Sequence, residues 1–386
     1  MSAAAVGDEA WRRRQRARLR REWLLQGALL VVLLALLAGI AQNVAANLEA
    51  RQIKSGFGFL HDPAGFNIGE LLFDYSARDS YLRAFAVGMS NTLRVSIAGI
   101  VLASVLGVVV GLMRLSHHGL VAWLGSAWVE VFRNTPLLIQ LLTIYLLATE
   151  LLPDSSAPIA IDAVALLSKQ GLQIAVPAEG TTALGVALVV GLLAGGAAFA
   201  AARRWLPVGA GLAGVVAGLA GALLAWLAFG TIDGWSRPEV DGFLISGGAS
   251  LTPEFLALWL GLALFTSASI AEIVRAGALA VPAGQWDAAL ALGMTRPQAI
   301  AGAIFPQALR LAIPPLASQY MNLIKNSSLA VVVGYPDLVS IGNTSINQNG
   351  QALEVIVIIM AAYLSLNLVV AAVMNAVNAR VTRAPR

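Results

Sequence analysis

Long, continuous runs of apolar residues dominate this chain, and shorter polar segments separate them. Eight of these runs are long enough to cross the hydrocarbon core of a bilayer as a helix. Because the runs do not alternate between apolar and polar positions, the pattern predicts membrane-spanning helices and not barrel strands. The predicted spans cover residues 24–46, 84–113, 119–150, 182–201, 207–231, 253–276, 307–332 and 352–378.

The amino-acid composition excludes a water-soluble globular protein. Hydrophobic residues make up 58% of the chain and charged residues only 12%, whereas a soluble domain has about 25% charged residues. The 386 residues contain no cysteine, which excludes disulfides, zinc–thiolate sites and thiol nucleophiles. The chain therefore needs a lipid bilayer as its solvent.

The positions of the arginines predict how the spans are oriented. Seven arginines lie between Arg12 and Arg21, just before the first span. A basic arm for nucleic acid or anionic lipid is one interpretation, but the positive-inside rule favours a topology signal that keeps residues 1–23 in the cytoplasm. The tail at 379–386 is then cytoplasmic too. The loop and tail arginines on this side are Arg114, Arg203, Arg204, Arg296, Arg310, Arg380, Arg383 and Arg386.

Three linkers fall on the outer side in this arrangement. They cover residues 47–83, 151–181 and 232–252. We expect the first to be part loop and part amphipathic helix. The other two flank the fourth and fifth spans, which consist almost entirely of small and aliphatic residues. Glycines four residues apart predict close helix packing in three spans, namely Gly107–Gly111, Gly191–Gly195 and Gly214–Gly218.

Nothing in the sequence indicates catalysis or a metal site. The three histidines, His61, His117 and His118, do not form a metal-binding spacing, and adjacent side chains on a helix do not share a face. Neither a phosphate-binding Walker A loop nor a GxSxG nucleophile motif is present. We therefore expect no catalytic residue, no metal and no bound cofactor in this chain.

Polar and ionisable residues inside two spans indicate a path for a polar solute, because such residues are costly in lipid. In the third span, Pro136 removes a backbone donor and frees carbonyl groups near the bilayer centre. In the seventh span, polar residues recur with helical spacing and form one stripe. Hydrogen bonding between helices is the alternative reading of each residue. The predicted path residues are Arg133, Asn134, Thr135, Pro136, Ser318, Asn322, Lys325, Asn326 and Ser327.

The segment between the sixth and seventh spans, residues 277–306, predicts two short helices on the cytoplasmic side. The first begins near Gln285 and ends at Gly293, a C-terminal capping residue. Thr295 then acts as the N-cap of the second helix. A rigid helix–turn–helix at a membrane surface has a shape suited to docking on another subunit.

This segment resembles the EAA loop of ABC importer permeases, in which a Glu-Ala-Ala triplet precedes a glycine. Here Asp287-Ala288-Ala289, Gly293 and Phe305-Pro306 match the pattern, with aspartate in place of the usual glutamate. Further matches to the polar amino-acid uptake family are Glu272-x-x-Arg275-Ala276-Gly277, Ala280-Val281-Pro282-x-Gly284-Gln285, Phe305-Pro306-Gln307-Ala308-Leu309-Arg310, Asn322-Leu323-x-Lys325-x-Ser327-Ser328-Leu329 and Phe132-Arg133-Asn134-Thr135-Pro136-Leu137-Leu138.

The resemblance implies an all-α integral membrane protein with the type I ABC importer (MetI-like) fold. Its five-helix core would comprise residues 84–150 and 253–378, and an N-terminal helix and an inserted pair at 151–252 would extend it. That enlarged layout is similar to the general L-amino-acid permeases of Gram-negative bacteria. The resemblance assigns ATPase coupling to Gln285, Trp286, Asp287, Ala288, Ala289, Leu290, Gly293 and Met294.

The same resemblance implies the partners and the location. They are a second permease subunit that forms a heterodimer with this chain, two ATPase subunits that bind ATP and magnesium, and a periplasmic amino-acid-binding protein, all at the bacterial inner membrane. Nucleic acid is not an expected partner. Arg133 and Lys325 suit the α-carboxylate that all amino acids share, which leaves polar and broad specificity both open. The competing interpretations are an ion-coupled secondary transporter or channel and a non-transporting scaffold.

Overall fold

The computed structural model describes residues 3–50, 55–162, 164–205 and 210–382. Within these ranges, six helices are long and apolar enough to cross a membrane, and two bent helix pairs raise the number to eight. This confirms the membrane-protein class, and the predicted number of eight spans is reached when each bent pair counts as one span. The helices are α1 Ala3–Ala50, α2 Tyr81–Arg114, α3 Gly119–Asn134, α4 Leu137–Leu146, α5 Gly180–Trp205, α6 Ala210–Asp233, α7 Pro253–Leu279, α8 Ala283–Ala291, α9 Arg296–Ala299, α10 Phe305–Asn326, α11 Ala330–Val333, α12 Leu338–Asn349 and α13 Ala352–Thr382.

The core of the molecule is built around α2 and α7, which pack side by side. Helices α3, α4 and α10 pack against α7, while α12 packs against α2 and α13 packs against α10 and α12. Val95 of α2, Leu258 and Leu262 of α7 and Leu323 of α10 are fully buried where these helices meet. Burial of such aliphatic side chains between helices excludes lipid from the centre of the bundle.

Two glycines of α2 allow its backbone to lie directly on α7. A Cβ added at Gly107 would be 2.5 Å from the Ile270 Cβ, and one at Gly111 would be 2.8 Å from the Val274 Cβ. The contact at Gly111 is four residues after Gly107 in α2, and Val274 is four residues after Ile270 in α7, so the two helices run parallel. The structure therefore confirms the close packing that the Gly107–Gly111 spacing predicts.

The inserted helices α5 and α6 form an antiparallel pair. A Cβ at Gly195 would lie 2.8 Å from the Gly214 carbonyl oxygen, and one at Gly191 would lie 2.9 Å from that of Gly218. The two glycine motifs thus face each other, which confirms the close helix packing that each spacing predicts. Apart from this mutual packing, the main contacts of the pair are with a short strand described below, β4. The fifth predicted span begins at 207, and residues 206–209 lie outside the described ranges.

The two linkers around the inserted pair fold together into a small β module, which the sequence did not predict. Its strands are β1 Ile159–Ile161, β2 Ala165–Ser168, β3 Gly171–Ile174, β4 Val176–Pro177, β5 Trp235–Ser236, β6 Glu239–Asp241, β7 Leu244–Ser246 and β8 Ala249–Leu251. A four-stranded sheet has the order β1-β2-β3-β8, and β4–β5 and β6–β7 form separate pairs. Because β3 pairs with β8 and β4 with β5, the module joins the linkers that precede and follow α5 and α6.

Three expectations about the spans need correction. Residues 119–150 do not form one straight helix, because α3 and α4 meet at an angle of 100°. The described part of the 47–83 segment contains a short 3-10 turn, Phe57–His61, in place of an amphipathic helix before α2 begins. The segment between the seventh and eighth predicted spans contains a helix, α12, that the sequence pattern does not predict. Of the predicted tail, residues 383–386 lie outside the described ranges.

Candidate translocation path and coupling hairpin

The polar stripe of α10 lies on the face that turns away from the helix core. Ser318, Asn322 and Lys325 are exposed on this face, whereas Leu323 and Ile324 on the opposite face are buried. Their spacing of four and three residues places the three polar side chains in one row. The two other predicted members differ, since Asn326 is half-buried and Ser327 is buried. The Ser327 hydroxyl donates to the Ile324 carbonyl at 2.7 Å, so it does not line the exposed face.

Lys325 lies near mid-height of the helix bundle and not at either of its ends. A Cβ added at Gly99, close to the midpoint of α2, would be 3.3 Å from the Leu323 side chain and 3.9 Å from the Leu262 Cβ. Leu323 is therefore level with the middle of α2 and α7. Lys325 is two residues farther along α10, which corresponds to a rise of about 3 Å.

The second cluster, Arg133 to Pro136, forms the corner between α3 and α4. Before the corner, the Trp128 indole donates to the Ser267 hydroxyl at 3.1 Å. After it, the Leu141 side chain packs against Gly261. Both partners belong to the central part of α7, so the corner also lies at mid-height. Arg133, Asn134 and Pro136 are exposed there and Thr135 is half-buried.

The corner is less open than the sequence predicts, because one side chain caps it. Pro136 has no N–H and leaves the Phe132 carbonyl without its helical donor. The buried side chain of Gln140 donates to the Phe132 carbonyl at 2.8 Å and to the Thr135 carbonyl at 2.9 Å. These two carbonyls are thus already hydrogen-bonded within the chain. Gln140 is a structural residue that was not singled out from the sequence.

The two polar clusters do not meet within one copy of this chain. Helix α3 packs on α2 and α7, whereas α10 packs on α7 and α13. Among the described residues, no hydrogen bond or ion pair joins Arg133–Pro136 to the α10 stripe. Each cluster instead presents exposed polar groups at mid-height on its own side of α7.

The predicted helix–turn–helix is present, and its turn has the geometry expected of a capping glycine. The Gly293 N–H donates to the Leu290 carbonyl at 2.9 Å and the Met294 N–H to the Ala289 carbonyl at 3.2 Å. This pair of bonds is a Schellman motif. Gly293 has φ +77°, the left-handed conformation that the motif requires. The Thr295 N–H then donates to the Gln298 side chain at 2.9 Å, which is one half of a capping box.

Within this hairpin, defined here as residues 283–304, some predicted coupling residues face inward and others outward. Ala289 is buried, Trp286 and Met294 are half-buried, and Met294 packs against Gly302. Gln285, Asp287, Ala288, Leu290 and Gly293 are exposed. The exposed apolar side chains of the hairpin and its base are Leu279, Leu290, Leu292 and Ile300, of which Leu292 is 82% exposed. A water-facing helix does not normally carry such a surface.

The hairpin is held rigidly to the membrane helices. The Gln307 side chain at the start of α10 donates to the Gln285 side chain and to the Ala303 carbonyl, both at 2.9 Å. Close by, the Glu272 carboxylate on α7 accepts from Arg114, the last residue of α2, and from Arg275 at 2.6 Å. This carboxylate therefore ties the C-terminal end of α2 to the last third of α7. The Arg114–Glu272 ion pair could not be deduced from the sequence, since the two residues are far apart in the chain.

At the opposite end of the bundle, the buried carboxylate of Glu70 connects several segments. Glu70 accepts from Arg94 of α2 and from the Thr252 hydroxyl at 2.9 Å. Burial raises the pKa of Glu70, and the neighbouring Arg94 opposes that rise. The Arg94 guanidinium also lies 4.4 Å above the Phe255 ring, within the range of a cation–π interaction. Because Thr252 is the N-cap of α7 and follows β8, this cluster fixes the β module to the helix core.

Comparison with known proteins agrees with this architecture. Residues 99–383 match the sequence profile of the family described as "Binding-protein-dependent transport system inner membrane component". The chain is 42% identical over 374 residues to the putative amino-acid ABC transporter permease protein YhdX of Escherichia coli (strain K12), covering 94% of both chains. It is 39% identical to the general L-amino acid transport system permease protein AapQ of Rhizobium johnstonii (strain DSM 114642 / LMG 32736 / 3841), covering 92% of this chain and 91% of that one.

A solved structure, of an amino acid ABC transporter with histidines, aligns with a TM-score of 0.47 and 22% identity over 78% of this chain and 95% of that chain. The profile match covers well over half of the 386 residues, and the two permeases named above align along nearly their whole lengths. This chain belongs to the family of inner membrane components of binding-protein-dependent transport systems.

Proposed function

We propose that this chain is a permease subunit of an ABC importer that carries L-amino acids across the bacterial inner membrane. ATP hydrolysis would take place in partner ATPase subunits, and this chain would hold neither ATP nor magnesium. The observation that carries the proposal is the rigid hairpin at 283–304 with its exposed apolar surface. The names of the similar permeases supply the substrate class.

The exposed face of the hairpin is the proposed ATPase contact. Leu290 and Leu292 are exposed and apolar, and the half-buried Trp286 lies one helical turn before Leu290. Truncation of an apolar or aromatic anchor that fills a dry groove often costs about 2 kcal/mol or more of binding free energy. Asp287 is exposed beside them and is available for a cationic partner group. Met294 and Ala289, in contrast, stabilise the hairpin from within.

A second permease subunit is proposed to cover the α10 stripe. Ser318, Asn322 and Lys325 are exposed at the depth of the membrane centre, where contact with lipid would cost several kcal/mol for an ionised group, on the order of 3 kcal/mol on insertion scales. A path shared between two permeases keeps these groups in water. We propose a heterodimer, fed by a periplasmic amino-acid-binding protein, with Arg133 and Asn134 of the corner as further path residues.

The orientation follows from the same proposal. The hairpin and both chain ends would face the cytoplasm, and the β module would face the periplasm. The chain has no native cysteine, so single cysteines report their side without background. A cysteine at Arg296 should stay unlabelled by an impermeant maleimide in intact spheroplasts, and one at Phe243, which is 86% exposed in the β module, should be labelled. The reverse pattern would overturn the orientation.

Co-expression with the ATPase, the second permease and the binding protein tests the function itself. We expect the ATPase to co-purify with the tagged chain and labelled amino acids to be imported only when ATP is supplied. Uptake that persists without any ATPase would favour an ion-coupled transporter or a channel. Import of no amino acid by a complete, ATP-hydrolysing assembly would exclude the proposed substrate class.

Gly293→Ala and Gly284→Ala form a matched pair for the coupling role. A Cβ meets no atom within 4 Å at either position, but only Gly293 has a positive φ. Left-handed geometry costs a residue with a Cβ about 1–2 kcal/mol. Gly293→Ala should therefore distort the hairpin and reduce ATPase retention and uptake, whereas Gly284→Ala should leave both unchanged. Equal retention in the two variants would contradict the docking role.

A further inference from the structure

An open cleft of about 340 Å³ lies between the outer half of α10 and the helix α13. Its lining residues are Lys325, Ser328, Val339, Ile359, Met360 and Tyr363. We call it the Lys325 cleft. It brings together three segments within residues 325–363, namely the end of α10 with the turn that follows it, α12 and α13. Its size falls in the range of about 300–1,000 Å³ that is typical of small-molecule sites.

Lys325 is the only lysine, arginine, histidine or acidic residue in this lining, and it lies close to the middle of the membrane. Among the described residues, no carboxylate forms an ion pair with its ammonium group. An ionised side chain at such a depth is costly unless an anion or water compensates it. The cleft therefore offers an unpaired cation to a small anionic group that enters from the path.

The buried carboxylate of Asp337 does not serve as that anion. Its Oδ1 accepts from the Ser340 N–H at 2.8 Å, as the N-cap of α12, and its Oδ2 accepts from the Tyr363 hydroxyl at 3.1 Å. Asp337 is fully buried, behind the tyrosine that lines the cleft. Its role is to fix the position of the Tyr363 ring, which forms one wall.

The rest of the lining is suited to an uncharged side chain. Val339, Ile359 and Met360 are apolar and lie on two different helices. The Ser328 hydroxyl donates to the Lys325 carbonyl at 2.7 Å, so its oxygen retains lone pairs that can accept a hydrogen bond. One cation, one acceptor and an apolar wall match the three parts of an α-amino acid.

We propose that the Lys325 cleft is a binding subsite for the transported amino acid within this subunit. The α-carboxylate pairs with Lys325, the α-ammonium group donates to Ser328, and the side chain lies against Val339, Ile359 and Met360. The inference rests on the proposed transport of amino acids and adds a location and a selectivity. A cationic side chain is disfavoured beside Lys325, because like charges repel more strongly in a partly apolar site than in water. Neutral side chains are preferred.

The larger groove between α5 and α6 is not an alternative site for the same ligand. It has a volume of about 470 Å³, but only glycine, alanine, aliphatic and phenylalanine residues line it. It has no charged or hydroxyl side chain that could hold the two charged groups of an amino acid.

Direct binding to the assembled permease–ATPase complex in lipid nanodiscs, without the binding protein, tests the subsite. The probes are labelled leucine, with leucinamide and lysine as competitors. For the wild type we expect saturable leucine binding and a preference for leucine over its amide of about tenfold or more, since a charge-assisted hydrogen bond contributes at least 1.4 kcal/mol. Lys325→Gln should abolish most of this preference, and Lys169→Gln, which removes a lysine of the β module, should retain it.

A second variant pair tests the apolar wall without changing any charge. Met360→Ala should weaken leucine binding relative to alanine binding, because the side chain loses its packing partner. Leu364→Ala, on the exposed face one turn farther along α13, should not change this ratio. ATPase retention on each purified variant shows that the fold and assembly are intact.

The outcomes separate the subsite from the general function. Absence of saturable binding to the wild type, or an unchanged preference for leucine over leucinamide in Lys325→Gln, would overturn the subsite. Tighter binding of lysine than of leucine would overturn its selectivity. Failure of the complete wild-type importer to take up any amino acid would instead overturn the function on which the subsite rests.

Discussion

The side chain of Gln140 donates to the carbonyl oxygen of Phe132 at 2.8 Å, which replaces the backbone hydrogen bond that Pro136 cannot form. The same amide also donates to the Thr135 carbonyl at 2.9 Å. A proline at a helix break would otherwise leave two carbonyls without partners at the depth of the membrane centre. Because one buried side chain satisfies both, the 100° corner between α3 and α4 is a fixed part of the structure.

Gln140→Met should therefore destabilise the protein without changing its size. Methionine fills a similar volume but cannot donate, so the two carbonyls lose their partners, at a cost of about 1–3 kcal/mol for each unsatisfied buried group. We expect a clear fall in the midpoint temperature of thermal unfolding of the purified protein in nanodiscs. Ile139→Ala, at an exposed neighbouring position, is the control and should have little effect. Equal midpoint temperatures of unfolding in the two variants would show that the corner does not depend on Gln140.

The sequence predicts the spans well because about 20 apolar residues in a row have few alternatives to a membrane helix. It does not predict α12, whose twelve residues include several asparagine, serine and threonine side chains. That helix exists because Asp337 caps its first turn and Tyr363 holds the cap. The β module was also missed, because strands of two to four residues carry too little pattern and β3 pairs with a strand beyond the inserted helices.

Some features of the candidate sites could likewise be predicted from the sequence, and others could not. The α10 stripe follows from helical spacing alone, and the capping role of Gly293 follows from local turn chemistry, so both could be predicted. The pairs Arg114–Glu272 and Arg94–Glu70 join residues that are close only after the helices pack. The walls of the Lys325 cleft likewise come from three segments. Contacts between distant segments depend on tertiary packing, which periodicity does not encode.

The ion pairs of the protein should differ widely in their contribution to stability. Glu272 bridges Arg114 and Arg275 in a half-buried setting, with 28% of its side chain exposed. Asp154 pairs with Lys169 at 3.0 Å, but 75% of its side chain is exposed. We expect Glu272→Gln to lower the free energy of unfolding by about 1–3 kcal/mol, below the cost of breaking a fully buried pair. Asp154→Asn should cost less than about 1 kcal/mol.

Thermal unfolding of the two variants side by side measures this difference. The expected order is a larger fall in the transition temperature for Glu272→Gln than for Asp154→Asn. A second readout is ATPase retention, because α7 leads directly into the hairpin and loss of the Glu272 bridge should loosen the end of α7. Equal stability and equal retention in both variants would show that the bridge is not a structural tie.

The glycines of α2 should be intolerant of even one extra carbon. Gly107→Ala places a Cβ 2.5 Å from the Ile270 Cβ, whereas Gly196→Ala meets no atom within 4 Å. The first change must push α2 and α7 apart, and overpacking of this kind typically costs about 1–3 kcal/mol. The second should be neutral. The yield of monodisperse protein in detergent compares them, and a normal yield of Gly107→Ala would contradict the close packing of these helices.

The inserted helices α5 and α6 should be dispensable for substrate selection. They lie in the chain between β4 and β5, and these two strands pair directly with each other. Val176 pairs with Ser236 and Pro177 with Trp235, and the Ala178 N–H donates to the Gly234 carbonyl at 3.0 Å. Replacing residues 179–233 by Asn-Gly would therefore close a two-residue hairpin turn of a favoured type.

The shortened protein should insert, assemble with its partners and import the same amino acids in the same order of preference, with a lower stability. The loss of stability follows because the end of α6 packs against Trp235 at Gly230, and this contact disappears. Gly171→Ala in the full-length chain is the contrasting variant. Its added Cβ would overlap the Leu251 carbonyl at a position with φ +94°, so it should break the β3–β8 pairing and lower the yield. Competition uptake by the shortened protein is the decisive measurement, and a changed order of preference would place α5 and α6 in the path.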